Sequence, residues 1–238
     1  MISNRNILVN GCSFSRGPGS WPYHLKNSTV TNLAQAGAGN TYIHETTVAE
    51  LAQRSYNFVV IMWTGIHRID FKVSNIDYFA NSAYTSRYQS LQNDWPEKVI
   101  EPVNDQDYVE KNWVFGCGHA NNEKAMIKTH MFDSVYYHLD QPEFVYNFLI
   151  KVISLQSFLK QMNTPYVFTF FRNYVQQLQQ HPALYQLLDQ RHIYNEQNIY
   201  QITESNNWYD ADGFHPGAQA HQAWANLIDN FIDNYDTN

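Results

Sequence analysis

Charged residues are scarce in this sequence, and positively charged ones are the scarcer. Of its 238 residues only 16% are charged, with 15 Lys and Arg against 22 Asp and Glu, which gives a formal net charge of −7. General nucleic-acid binders use basic patches to displace counterions from phosphates, and no Lys/Arg cluster of that kind occurs here. The composition therefore argues against a nucleic acid as a partner.

Cysteine is almost absent too. The sequence has two cysteines, Cys12 and Cys117, which lie far apart and belong to no CxxC pair. This usage favours reduced thiols over a disulfide framework or a cysteine-based zinc site. The histidines show neither an HExxH pattern nor an HxH pattern with a following carboxylate, so we expect no metal ion. The histidines considered include His24, His44, His119, His130 and His138.

Long apolar runs are missing as well. No stretch approaches the ~20 apolar residues that a membrane-spanning helix needs. Met1 is followed by the polar residues ISNRN rather than by the apolar centre of a signal peptide. We therefore expect a cytoplasmic protein with no membrane partner.

Short and long apolar segments alternate along the chain, within a hydrophobic content of 44%. Short runs bounded by turn residues predict strands at 6–10, 28–34, 57–63 and 165–171. Longer segments with helical spacing predict helices at 40–55, 142–162 and 216–235. Strands that alternate with helices predict an α/β fold, in which a central parallel sheet is covered by helices on both faces as a three-layer α/β/α sandwich.

Residues 68–140 interrupt this alternation. The segment is rich in Tyr, Asn, Asp and Trp and has weak periodicity, so we interpret it as an insertion into one domain that spans 1–238. A chain of 238 residues is long enough for a single α/β domain with a sizeable core. We expect substrate specificity to lie in this insertion.

Three polar segments adjoin the predicted elements where α/β proteins place their active sites. Residues 11–15 follow the first strand, residues 32–40 follow the second, and residues 210–221 precede the last helix. Functional residues of parallel sheets gather at the carboxyl ends of the strands. A seryl nucleophile needs a base, an acid that orients the base, and amide donors for the oxyanion. The three segments offer one of each.

Ser13 is the candidate nucleophile, with His215 and Asp212 as its candidate partners. Asp212 and His215 are three residues apart, directly before Pro216. In a tight turn this spacing lets the Asp212 carboxylate reach His215 Nδ1, which leaves Nε2 free to take a proton from Ser13. Gly37 lies in a strand-to-helix turn, where the missing Cβ lets a backbone N–H approach a ligand. Together with the Ser13 amide, it forms a candidate oxyanion hole.

Each of these residues also has a purely structural interpretation. Ser13 suits a turn or a helix cap, Asp212 suits an N-terminal cap of the last helix, and Gly37 suits a tight turn. Cys12 is an alternative thiol nucleophile, but a residue adjacent to Ser13 is expected to point the other way.

The motifs GCSFS, NLAQAGAGN and DGFHP resemble blocks I, II and V of the SGNH/GDSL hydrolases. The resemblance is closer to a GCSF-type branch, which often combines G-C-S-F-T, W-P-Y and N-L-A-x-x-G-x-S-N; here WPY stands at 21–23. The blocks occur in the family's order at both ends of the chain, and the insertion is not covered. No G-x-S-x-G elbow occurs, which disfavours the ordinary α/β-hydrolase layout.

The resemblance implies the SGNH-hydrolase, flavodoxin-like form of the sandwich. It implies Ser13 as nucleophile, His215 as base and Asp212 as the partner of that base. The amides of Ser13 and Gly37 would bind the oxyanion, and the reaction would pass through an acyl-enzyme without a metal or cofactor.

Block III departs from the family pattern. The family places an asparagine side-chain donor after the third strand, whereas MWTGIHRID contains no asparagine. His67 stands at that position, and a neutral imidazole can donate one hydrogen bond; Thr64 and Asn40 are alternative donors. The loss of one oxyanion donor can cost ~10²–10³ in rate. A second departure, Cys12 in place of the family's aspartate, affects a structural position.

Residues beside the blocks are candidates for contact with the substrate. Trp63 also suits the core, and His67 and Arg68 also suit a solvated loop. The candidate substrate contacts are Phe14, Trp63, Thr64 and Arg68.

We therefore predict a serine esterase that hydrolyses a small acyl ester of acetyl type. The polar, aromatic-rich insertion and the lack of a long apolar lid favour a carbohydrate ester over a lipid. An acyltransferase would use the same residues, and a catalytically silent binding module on the same fold is favoured by the missing block III asparagine. The sequence carries no signal for an oligomeric state.

Overall fold

The structure of the protein is a computed structural model that describes residues 4–72, 113–116 and 141–235. Its strands are β1 (Arg5–Asn10), β2 (Ser28–Asn32), β3 (Phe58–Trp63), β4 (Ile69–Lys72), β5 (Trp113–Gly116) and β6 (Tyr166–Phe170). Its α-helices are α1 (Asn40–Leu51), α2 (Gln141–Gln161), α3 (Val175–Leu178), α4 (Pro182–Tyr185), α5 (Ile199–Asn206) and α6 (Ala218–Asp233). Short 3₁₀ turns cover Ser13–Ser15, Trp21–His24 and Gln190–His192.

The central sheet has four parallel strands in the order β2-β1-β3-β6. Leu8 on β1 stands opposite Thr31 on one side and Val59 on the other, and Val60 stands opposite Val167. Every residue of β3 is buried, as expected for a parallel strand with helices over both faces. The edge strand β2 is more polar and only partly buried. A separate antiparallel pair joins β4 to β5.

Each face of the sheet packs against its own helices. On one face Leu8 and Ile61 belong to the same buried cluster as Ile43 of α1 and Leu149 of α2. On the other face Ile7, Val60 and Met62 belong to a second cluster with Ile202 of α5 and Trp224 of α6. Successive strand residues point to opposite faces, so one apolar run supplies both cores. The predicted three-layer α/β/α sandwich is confirmed.

The predicted elements of the sandwich are present, with ends that differ by up to four residues. The largest difference is in α1, which ends at Leu51 rather than at 55. Helix α5 was not predicted, although Asn198 and Gln201 form a capping box that the spacing N-x-x-Q indicates. Strands β4 and β5 were not predicted either, and most of 68–140 lies outside the described residues. The assignment of one domain to 1–238 therefore stays a prediction.

None of the helices in the described part of the chain is both long and apolar enough to cross a membrane.

An aspartate from β4 caps helix α1. Asp70 is 5% exposed, and its carboxylate accepts hydrogen bonds from the backbone N–H groups of Gly39, Thr41 and Tyr42 at 2.8–3.0 Å. The N-cap residue itself, Gly39, offers no side-chain cap. A Cβ on Gly39 would lie 2.8 Å from Asp70 Cγ, so glycine is required for this close approach. Burial raises the pKa of Asp70, and the amide hydrogen bonds oppose that shift.

The substitution Asp70→Ala should lower the free energy of unfolding by about 1–3 kcal/mol, because it leaves buried amide donors of α1 without an acceptor. Urea unfolding at pH 7 measures the change. Glu196→Ala is the control, since Glu196 is exposed and should shift the value by less than ~0.5 kcal/mol. Equal effects of the two substitutions would contradict the role given to Asp70.

Candidate active site

Ser13 stands in a turn that is fixed from two sides. Asn10, three residues before Ser13 at the end of β1, is fully buried. Its Nδ2 donates to Ile43 O, Thr46 Oγ1 and Thr47 Oγ1, and its Oδ1 accepts from Gly11 N. This network ties the end of β1 to helix α1. Ser13 then begins a short 3₁₀ turn in which Ser15 N donates to Cys12 O over 2.9 Å.

The turn points Cys12 and Ser13 in different directions. Cys12 is fully buried in the cluster beneath α6, whereas Ser13 is partly exposed. Ser15 turns inward, and its hydroxyl accepts a hydrogen bond from Trp21 Nε1 at 3.0 Å. A Cβ on Gly11 would lie 2.7 Å from Ser15 Oγ, so the glycine makes room for this arrangement. The sequence GCSFS thus presents Ser13 at the surface and keeps its neighbours inside.

The second part of the site is a short loop before α6. Asp210 N donates to His215 O over 2.8 Å, and Gly217 N donates to Trp208 O over 2.7 Å, which closes the loop at its base. At its tip Gly213 N donates to Asp210 O, and Gly213 has φ +68°, a conformation that favours glycine.

The loop brings Asp212 and His215 to Ser13. The Asp212 carboxylate accepts hydrogen bonds from the N–H groups of Phe214 and His215, both at 2.8 Å, and is hydrogen-bonded to His215 Nδ1. The opposite nitrogen, His215 Nε2, lies 3.0 Å from Ser13 Oγ. Phe14 packs beside the imidazole, with ring centroids 5.3 Å apart. A proton on Nδ1 leaves Nε2 as the acceptor for the Ser13 hydroxyl.

Asp212 stays ionised through most of the pH range. Partial burial acts to raise its pKa, but the hydrogen bonds from the His215 ring and from the His215 and Phe214 amides outweigh it and lower the pKa to about 2. The Asp212 carboxylate does not cap α6, although the structural interpretation of the sequence predicted that it would. That helix begins at Ala218 with Gly217 as its N-cap and has no side-chain cap.

The Gly37 turn lies against the Ser13 turn. Gln35 N donates to Gly11 O over 3.2 Å, Ala38 N donates to Gln35 O over 3.1 Å, and Gly37 has φ +77°. Among the described residues, the Ser13 amide has no hydrogen-bond acceptor. Two of the three motif segments therefore meet at the carboxyl ends of β1 and β2, with the amide of Ser13 available to a ligand.

Asn40 and His67, two of the residues proposed as side-chain oxyanion donors, contact other parts of the protein. Asn40 accepts from Thr64 N at 3.1 Å and donates to Gly65 O at 3.0 Å, so its carboxamide links α1 to the loop after β3. The His67 ring packs against Phe144, with centroids 5.3 Å apart, and burial lowers its pKa. In the described part of the chain, neither side chain lines the cleft that contains Ser13.

Most of the predicted substrate contacts are buried side chains that do not line the cleft among the described residues. Trp63 and Thr64 are fully buried, and Phe14 is 1% exposed. Trp63 is the last residue of β3 and faces α2, where its ring meets Phe148 edge-on. Arg68 donates from Nη1 to Ala38 O over 3.1 Å, which fixes the Gly37 turn instead of lining the cleft.

A cleft of about 510 Å³ opens beside Ser13 and His215. In the part of the chain that the structure describes, no aromatic ring other than histidine and no long aliphatic side chain lines it. Its polar lining residues other than Ser13 and His215 are Arg16, Ser20, Asp210 and His221. The sequence interpretation missed all four, although Asp210 and His221 lie within the segment 210–221.

Across the described ranges, no three His, Cys, Asp or Glu side chains come close enough together to hold a metal ion.

The lowered pKa of Asp212 predicts a pH-dependent contribution to stability. Its pKa is 3.8 in the unfolded chain and about 2 in the folded protein, so its contribution is complete above pH ~4 and disappears as the pH falls towards 2. The melting temperature of the wild type should exceed that of Asp212→Asn at pH 7, and the difference should shrink between pH 4 and pH 2. Thermal melts of both proteins across this range measure it. A difference that does not change with pH would contradict the stabilisation of the Asp212 carboxylate by its hydrogen bonds.

Comparison of the sequence with family models gives no match, and comparison with curated proteins gives none either. Solved structures are similar in fold. The psychrotrophic esterase EstA from Pseudoalteromonas sp. superposes with a TM-score of 0.54 at 11% identity, covering 98% of this chain and 100% of the other. Two further similar structures have lower TM-scores.

One of these is a putative lipolytic protein of the G-D-S-L family from Desulfitobacterium hafniense DCB-2, with a TM-score of 0.48, 9% identity and coverage of 96% and 99%. The other is the acetylxylan esterase Axe2 from Geobacillus stearothermophilus, with a TM-score of 0.48, 12% identity and coverage of 97% and 94%. This protein therefore has the fold of EstA, in agreement with the fold that the resemblance to the SGNH/GDSL hydrolases predicted.

Proposed function

We propose that the protein is a serine esterase that hydrolyses a small acyl ester, of acetyl type, of a polar alcohol such as a carbohydrate. The observation that carries the proposal is the chain of hydrogen bonds from Ser13 Oγ through the His215 ring to Asp212. A nucleophile, a base and an orienting acid in this order are the groups that acyl transfer through a serine requires.

The reaction begins with attack of Ser13 Oγ on the ester carbonyl while His215 Nε2 takes the hydroxyl proton. The new imidazolium is stabilised by the Asp212 carboxylate, which stays ionised because its pKa is about 2. We assign the Ser13 and Gly37 amides as the donors for the carbonyl oxygen, which becomes negative in the tetrahedral intermediate. When the intermediate collapses, the bond to the alcohol oxygen breaks and His215 gives its proton to that oxygen.

Water then replaces the alcohol. His215 takes a proton from water as the water attacks the acyl-Ser13 carbonyl, and it returns that proton to Ser13 Oγ when the C–O bond breaks. The products are the free acid and the alcohol, and the enzyme returns to its starting state.

The cleft supports a small acyl group and a polar alcohol. A long acyl chain needs an apolar tunnel or groove, and the lining of the cleft consists of polar side chains together with glycine, alanine and proline. Arg16, Ser20 and Asp210 instead offer hydrogen-bond donors and acceptors of the kind that hydroxyl groups match.

The substitution Ser13→Ala should reduce kcat/KM for 4-nitrophenyl acetate by roughly 10⁴–10⁶-fold, because no other side chain replaces the nucleophile. The wild type should react with a fluorophosphonate at one site, identified as Ser13 by mass spectrometry of peptides. Cys12→Ala is the matched control and should retain activity, since the Cys12 thiol is buried in the core.

Two results would contradict the proposal. One is unchanged turnover by the Ser13→Ala variant, and the other is a wild type that reacts with neither the acetate ester nor the fluorophosphonate. Product analysis by NMR should show free acetate in the presence of competing alcohols. Transfer of the acetyl group to those alcohols as the main outcome would replace hydrolysis by acyl transfer.

A further inference from the structure

A second histidine lines the cleft beside the triad. His221 lies in the first turn of α6, six residues after His215, and borders the same cleft as Ser13. Its backbone N–H donates to Gly217 O over 3.1 Å, so its position is set by the start of the helix that also follows the His215 loop. Helix α6 therefore places His221 in the lining of the same cleft as His215.

The backbone determines which ring nitrogen of His221 carries the proton. The N–H of Trp21 donates a hydrogen bond to His221 Nδ1 over 3.3 Å. A ring nitrogen that accepts a hydrogen bond carries no proton, so in the neutral ring the proton is on Nε2. Among the residues that the structure describes, none accepts a hydrogen bond from Nε2.

The surroundings of the ring keep it uncharged at neutral pH. Burial has the largest effect and lowers the pKa of His221 to about 4; His24 and His215 lower it as well, and Asp210 opposes them. The side chain thus offers a hydrogen-bond donor without a positive charge. Such a group selects an oxygen acceptor and gives no added attraction to anions.

We propose that His221 determines specificity by donating a hydrogen bond from Nε2 to a second oxygen of the alcohol part of the substrate. The inference rests on the proposed function, because it takes the position of the alcohol from the role of His215. That residue must protonate the leaving oxygen, so the alcohol lies beside His215, in the cleft that His221 also lines.

The proposal names the substrate class. A sugar or polyol ester carries a hydroxyl or ring oxygen close to the ester oxygen and can accept this hydrogen bond. An aryl or simple alkyl ester has no such oxygen and would leave the donor unpaired. A site built to hydrogen-bond a substrate oxygen discriminates against analogues that lack it.

The test compares two variants on two esters. His221→Gln keeps an amide donor and an oxygen that can accept from Trp21 N, whereas His221→Met has similar length and no donor. The esters are a monoacetylated methyl glucoside and 4-nitrophenyl acetate. His221→Met should lower kcat/KM for the sugar ester by about tenfold, with a change of less than about twofold for the aryl ester, and His221→Gln should recover most of the loss.

Fluorophosphonate labelling of Ser13 serves as the control for folding and for the triad in each variant. Labelling at the wild-type rate together with a selective loss on the sugar ester supports the inference. An equal loss on both esters, or no loss on either, overturns the role of His221 and leaves the proposed function standing. A wild type that turns over neither ester and takes no label overturns both.

A measurement on the wild type keeps the inference testable if His221→Met does not fold. With ¹⁵N-labelled histidine, the Nε2 resonance of His221, assigned with the His221→Gln variant, should shift as methyl glucoside is added. The Ser13→Ala variant should show the same shift, because it retains the alcohol side of the cleft. A resonance that does not move at concentrations of sugar that inhibit the enzyme overturns the proposal.

Discussion

The hydrogen bond between Ser13 and His215 depends on the parallel sheet. The two residues are 202 positions apart in the chain, and their atoms meet at 3.0 Å. The turn after β1 lies at the carboxyl edge of the sheet, and helix α6 begins beside that edge, so the loop before α6 meets the turn there. Helix α6 packs on the face of the sheet formed by Ile7 and Val60, and this packing fixes the position of its first turn at that edge. The packing of the core thus determines the relative positions of Ser13 and His215.

A set of buried polar side chains fixes the loops that the sheet brings together. Asn10 ties the Ser13 turn to α1, Asp70 caps that helix from β4, and Asn40 holds the loop after β3. Arg68 holds the Gly37 turn through Ala38 O. None of these side chains lines the cleft among the described residues, but Asn10 and Arg68 constrain the turns that contain Ser13 and Ala36, which do. A site in which amide groups bind the oxyanion depends on such constraints, because small displacements of a donor weaken its hydrogen bond.

Site residues whose partners are close in sequence could be predicted, whereas residues whose partners are distant in sequence could not. Asp212 and His215 were predicted because they share one tight turn, and Ser13 because a small residue follows a buried strand. Trp63 was predicted to contact the substrate, but its ring packs against Phe148 of α2. The last residue of a strand faces one side of the sheet or the other, and the sequence alone does not show which side. Asp70 and His221 were not predicted as site residues because their partners, Gly39 and Trp21, are distant in the chain.

The burial of Cys12 has a consequence for the chemical robustness of the site. A thiol one residue from the proposed nucleophile would ordinarily be the first target of peroxide, because thiolates oxidise far more readily than hydroxyls. Here the sulfur is enclosed beneath α6, where solvent does not reach it, while the hydroxyl faces the cleft. The fold therefore separates two neighbouring nucleophiles by direction alone, and oxidative conditions that inactivate cysteine hydrolases should leave the Ser13 turn intact.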